Sequence, residues 1–130
     1  MNPIRKVIVL LLCTCAAAFA QTPTPEQMAQ KQLEAYNQKD IKAFMDCFSE
    51  DVKIYTYPNN LEVEGKAKMQ EQYAQFFNSA QTLHCTVIKR IVRGAFVIDE
   101  ESVQYNTTTF GGVAIYEVKD GKIVAVTFIK

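Results

Sequence analysis

The stretch Val97-Ile98-Asp99-Glu100-Glu101-Ser102-Val103 sets three acids inside a run of strand-forming residues. Alternation puts Asp99 and Glu101 on one face with Val97, Val103 and Tyr105, and Glu100 on the other. Were that face enclosed, two carboxylates about 7 Å apart would repel and one would hold its proton to higher pH, which suits proton transfer. The plainer reading is a solvated bend between strands, because acids are seldom buried. The single histidine, His84, begins a strand-like run and reads as a surface residue. One histidine and two widely spaced cysteines give no metal-ligand spacing, and there is no Gly-rich phosphate loop and no G-x-S-x-G elbow. Neither a metal nor a cofactor is expected, and no residue set assigns a catalytic role.

The elements that must position these residues follow from periodicity. Thr24-Pro25-Glu26-Gln27 marks a helix start, with Thr24 as cap, Pro25 at the first position and Gln27 closing a capping box. Ala29, Leu33 and Tyr36 follow at helical spacing. A second helix begins at Asp40, with Ile41, Phe44, Met45 and Phe48 at i, i+3, i+4 and i+7. Val52 to Tyr57 alternates as a strand with Val52, Ile54 and Thr56 on one face. A turn at Pro58-Asn59-Asn60 leads to a short strand over Leu61 to Glu64. A third helix then carries Met69, Tyr73, Phe76, Phe77 and Ala80 as a wide apolar stripe. Four long strands complete the chain: His84–Arg93, Ala95–Tyr105, Thr107–Val118 and Lys122–Lys130. Asp120-Gly121 is a hairpin turn, and Gly111-Gly112 predicts a bulge.

The chain has 130 residues with 14 basic and 14 acidic side chains. Its first 20 have the layout of a secretory signal peptide: Arg5 and Lys6, an apolar run over Val7–Leu12, then Ala18-Phe19-Ala20. That run is too short to span a bilayer, which takes about 20 residues. Residues 21–130 then form the mature domain, secreted or periplasmic and free of the membrane once the signal is removed. Cys13 and Cys15 leave a lipid-anchored alternative. Loss of Arg5 and Lys6 leaves 12 basic against 14 acidic side chains, a balance of about −2 that offers nothing to nucleic acid. A mature chain of this length makes one domain with one core. Cys47 and Cys85 read as buried thiols, although an oxidising compartment would permit a disulfide. Asn106-Thr107-Thr108 matches a glycosylation acceptor, relevant only in a eukaryotic source.

Helices followed by a curved antiparallel sheet make an α+β layout. The order helix, helix, strand pair, helix, four strands resembles the cone-shaped fold of nuclear transport factor 2, shared by ketosteroid isomerases and SnoaL-like polyketide cyclases. The pieces that carry the resemblance are Lys39-Asp40-Ile41, Ser49-Glu50-Asp51-Val52, Glu64-Gly65-Lys66 and Ile115-Tyr116-Glu117-Val118-Lys119-Asp120-Gly121-Lys122-Ile123. These are caps, turns and core positions, so they speak for fold and not for activity. The isomerases use an aspartate base with a tyrosine and a protonated aspartate as oxyanion donors, a worked case of pKa tuning. By the resemblance the base position falls on Thr56 or Tyr57, the tyrosine on Gln32 with Tyr36 one turn later, and the second acid near Ala114. None of these matches the isomerase set, and neither an alcohol nor a phenol is a base at neutral pH.

In a cone of this kind the helices face one concave sheet, and the wide end opens into an apolar pocket. Tyr36, Phe44, Phe48, Thr56, Tyr73, Phe77 and Tyr116 are expected to converge on it, with Glu101 as the polar contact. The leading expectation is an exported domain that binds a small, largely apolar molecule. One alternative is an isomerase, cyclase or hydratase with Asp99 or Glu101 as base. Another is a dimeric protein-interaction module. A homodimer is expected through the outer sheet face, because the last strand alternates apolar residues on both sides.

Overall fold

A computed structural model describes residues 19–130. The expected leader therefore lies outside the described residues apart from Phe19 and Ala20, as do Cys13 and Cys15. Three helices and six strands follow in the order α1 (Pro25–Asn37), α2 (Ile41–Met45), β1 (Phe48–Thr56), β2 (Asn60–Glu64), α3 (Lys66–Ser79), β3 (Leu83–Arg93), β4 (Phe96–Tyr105), β5 (Thr108–Lys119) and β6 (Lys122–Ile129). The strands form one sheet in the order β2-β1-β6-β5-β4-β3. All pairs are antiparallel except β1 with β6, which run parallel. The third helix enters after the first strand pair, in the order expected, and one refinement follows: the sheet is mixed and not purely antiparallel. Among the described residues no helix is long and apolar enough to cross a membrane.

Local chemistry explains the boundaries. Thr24 Oγ1 accepts from Gln27 N at 3.2 Å and Thr24 N donates to Gln27 Oε1 at 2.9 Å, a reciprocal capping box. Asp40 Oδ1 accepts from Ala43 N at 3.0 Å to start α2. That helix is shorter than its apolar spacing suggests, because Phe48 pairs with Ile123 of β6 and Cys47 O accepts from Ile123 N. Cys47 thus leaves the helix and joins the turn before β1. Asp120 and Gly121 both take positive φ, 50° and 71°, as a two-residue hairpin turn requires.

The bulge expected at Gly111-Gly112 is absent, and the β4–β5 register runs unbroken through Ser102↔Gly111 and Glu101↔Gly112. These glycines answer to close approach instead. A Cβ at Gly112 would stand 2.5 Å from Ile129 O, and one at Gly111 2.9 Å from Glu101 O. An irregularity lies on β3, where Val87 pairs with Glu101 but Lys89 pairs with Glu100, leaving Ile88 as the extra, exposed residue.

The core gathers where α1 and α2 meet the closed end of the concave face, around Met28, Phe44, Val52, Val97, Ala114 and Ile123, all under about 3 % exposed. Four exposed large apolar side chains, Ile88, Ile91, Val92 and Phe96, lie toward the β3–β4 hairpin, with Phe19, Tyr57, Leu61 and Phe110 elsewhere and none on β6.

Candidate functional site

The wide end of the sheet opens into a cavity of about 750 Å³ between β1, β4, β5, β6 and the inner faces of α1, α2 and α3. Its walls are mostly apolar: Phe44, Phe48, Ile54, Met69, Phe76, Val103, Val126 and Phe128. Tyr36, Thr56, Tyr73, Glu101 and Tyr116 also line it, whereas Phe77 does not. Phe77 is buried behind the wall, with its ring centroid 5.5 Å from Tyr36 and 5.4 Å from Phe44, so it braces two lining rings from the core side. The third-helix residue at the wall is its neighbour Phe76, stacked on Tyr105 at 5.0 Å.

Asp99 and Glu101 of β4 both face inward, so the stretch is not a solvated bend. Asp99 is fully buried and sits in a two-point ion pair: Arg90 Nε donates to Asp99 Oδ1 at 2.7 Å and Nη2 to Oδ2 at 2.9 Å. Arg90 Nη1 also donates to Gln30 Oε1 on α1 at 3.1 Å. Strict alternation from Cys85 would turn Arg90 outward, and the extra residue at Ile88 reverses that parity. The bulge on β3 is thus what delivers a cation to Asp99.

Glu101 lies two residues further along, within the cavity. Tyr116 Oη donates to Glu101 Oε1 at 2.8 Å, and Gln32 Nε2 donates to Tyr116 Oη at 3.1 Å. Tyr116 pairs with Val97, four residues from Glu101. The hydroxyl therefore reaches along the strand over Ala114 and Gly112, whose small size leaves it room. Burial is the main reason the Glu101 carboxyl is pushed up to about 6; the Tyr116 hydrogen bond opposes the rise, the charge of Asp99 adds to it, and Arg90 and the Cys85 thiol oppose it. Burial likewise pushes the Cys85 thiol and the Tyr73 phenol up to about 12, each helped by the charge of Glu101. Tyr36 and Tyr116 move in the same direction for the same first reason. Cys85 is held in place by Asn37, whose Oδ1 accepts from Cys85 N at 2.7 Å and whose Nδ2 donates to Cys85 O at 3.0 Å. Cys47 and Cys85 are both buried, unpaired thiols.

Chemically, the arrangement is an apolar chamber with one carboxyl on its floor, ionising near neutrality and oriented by a tyrosine and a glutamine. Thr56 contributes a hydroxyl to the wall, Gln32 a support for Tyr116, and Ala114 only space, so the isomerase positions hold no base and no second acid. Sequence reasoning missed the roles of Gln32, Cys85 and Arg90. Arg90 was within reach: counting outward from a two-residue turn at Gly94-Ala95 pairs residue 93 with 96 and residue 90 with 99. Among the described residues no group of three or more His, Cys, Asp or Glu side chains is placed to hold a metal.

Residues 29–126 match the model of the SnoaL-like domain family, and the chain belongs to that family; its fold is shared with an NTF2-like protein. A cystatin-fold protein of Novosphingobium aromaticivorans superposes with a TM-score of 0.78 at 22% identity, covering 83% of this chain and 99% of that one. A candidate ketosteroid isomerase from Kribbella flavida gives 0.71 at 20% identity over 85% of this chain and 81% of that one. An LEH-like epoxide hydrolase from M. tuberculosis gives 0.70 at 14% identity over 81% and 80%. At these identities the likeness is one of fold. A comparison with the curated proteins finds no match.

Proposed function

We propose that the cavity binds a small, largely apolar molecule held by a polar contact to Glu101. The observation that carries this reading is the pairing of a cavity of about 750 Å³, within the usual size of small-ligand sites, with the inward carboxyl of Glu101, which has no ion-pair partner among the described residues. Two proteins of the same fold bear the names of enzymes acting on small molecules, an epoxide hydrolase and a candidate ketosteroid isomerase, which agrees with a small-molecule role. Native mass spectrometry of the purified protein tests it. A retained small molecule that is lost from Glu101→Gln, or a ligand-induced rise in melting temperature lost in the same variant, supports the reading. A folded protein that retains nothing and responds to no apolar ligand overturns it.

A second reading is favoured by the carboxyl's displacement to about 6: a general base for an isomerase, cyclase or hydratase works best with a pKa near the working pH. Asp99 drops out of that role, because both of its oxygens are engaged by Arg90. Deuterium uptake at a carbon of the bound ligand in D₂O, seen with the parent and not with Glu101→Gln, supports catalysis. Binding without exchange leaves the first reading alone.

A further inference from the structure

We infer that the preferred occupant of the cavity is a hydrophobic monocation, an ammonium group carried on an apolar body. The inference rests on the cavity being a ligand site and adds the ligand's charge. The charge census of the lining is its starting point. Three lining residues carry charge, and two of them, Glu62 and Lys130, are exposed. The third is Glu101, which is inside. Its neighbour Asp99 already has a counter-ion in Arg90, which is not part of the lining. An ionised Glu101 therefore has hydrogen-bond donors in Tyr116 and Cys85 but, among the described residues, no cation of its own. A carboxylate taken out of water without a counter-charge is costly, and a ligand that brings the charge recovers that cost.

The walls suit the same ligand. Tyr36, Phe44, Tyr73 and Phe76 form a contiguous ring cluster, with neighbouring centroids 4.8 to 6.4 Å apart. Aromatic faces attract a cation by their quadrupole while burying the hydrocarbon attached to it. An ammonium group also needs acceptors for its three N–H bonds. Among the described residues the hydroxyls of Tyr36 and Tyr73 make no hydrogen bond, neither is a sealed-off polar atom, and both feel the charge of Glu101. Carboxylate and phenol oxygens are acceptors of the kind it needs. An anionic ligand would meet Glu101 as a like charge, and a neutral alcohol would leave it without a counter-ion.

The test is calorimetric titration of the full mature chain at pH 7.5 with 2-(2-naphthyl)ethylamine, 2-(2-naphthyl)ethanol and 2-naphthylacetate, which share one apolar body and differ in charge. The amine is expected to bind about tenfold or more tighter than the alcohol, the scale of a charge-assisted over a neutral hydrogen bond, and the carboxylate more weakly than both. The preference should fall on going to pH 5 as Glu101 gains its proton. The thiol and phenols that face Glu101 give no competing titration, because Cys85, Tyr36, Tyr73 and Tyr116 are all pushed upward and stay protonated; Asp99 faces it as the partner of Arg90. Glu101→Gln should equalise amine and alcohol. If that variant does not fold, the pH series on the parent protein decides. An alcohol that binds as tightly as the amine at pH 7.5 overturns the inference and leaves the ligand site standing. If none of the three binds, both fall together.

Discussion

Glu101 is where sequence chemistry and structure meet most closely. Its carboxyl ordinarily ionises at 4.5 and is pushed up to about 6 in the fold, first by burial. The folded protein therefore holds this proton more tightly than the unfolded chain does, the reverse of the usual salt-bridged acid. Stability from this group is fully present below about 4.5 and is lost as pH rises through about 6. At neutral pH the ionised side chain costs on the order of 1–2 kcal/mol. Glu101→Gln can keep the hydrogen bond from Tyr116 and never ionises. Urea unfolding is expected to show it gaining stability relative to the parent at pH 8, with the gain shrinking between about pH 6 and pH 4.5. An offset that does not change with pH would mean that the carboxyl does not titrate in this window. Neighbouring Asp99 shows the other outcome for a buried acid, a closed ion pair; removing one member of such a pair typically costs about 3–5 kcal/mol.

At the scale of elements, helices and strands were legible from periodicity, caps and turns, because these are local properties. The capping box at Thr24, the Asp40 cap and the Asp120-Gly121 turn each lie within four residues of their partners. What was not legible depends on partners far along the chain. Phe48 has helical spacing to Phe44, yet pairing with Ile123 makes it the start of a strand. Phe76 and Phe77 are adjacent in the same apolar stripe, and only the packing of α3 decides which meets the cavity. The roles of Asp99 and Glu101 were open for a more local reason: the Arg90–Asp99 pairing can be counted from the Gly94-Ala95 turn, but the inward turn of Arg90 depends on one extra residue in β3. Gly111 and Gly112 suggested a bulge because glycine marks both bulges and close approaches. Their observed surroundings make a prediction: Gly112→Ala drives a methyl toward Ile129 O, so the β5–β6 pairing at the cavity rim must shift. The expected cost is roughly 1–3 kcal/mol, the range for overpacking, read as a lower urea midpoint. An unchanged midpoint would show that the C-terminal end of β6 yields freely and does not hold the rim.

For the molecule as a whole, one sheet serves two purposes at its two ends. The closed end is packed by α1 and α2, and the open end is a cavity that no described side chain fills. The empty volume forfeits packing contacts, so the closed end has to supply the stability. The N-terminal segment belongs to that end. Thr24 caps α1, and Thr22 and Pro23 lie so close to Gly121 that a Cβ there would stand 3.0 Å from Thr22 Cγ2 and 3.1 Å from Pro23 Cδ. A chain beginning at Gln21, the start expected after leader removal, retains all of these contacts. A chain beginning at Pro25 loses the cap and the hairpin contact together. It is expected to be less stable by about 1–2 kcal/mol, the worth of a strong helix cap, with the urea slope unchanged because the same core unfolds. Its cavity should still respond to ligand, since none of the three deleted side chains that make these contacts lines it. Equal urea midpoints for the two chains would show that α1 needs neither its cap nor the hairpin. A lost ligand response in a chain that still folds would mean that the packed end and the open end are coupled through α1, which carries Gln32 and Tyr36 to the cavity.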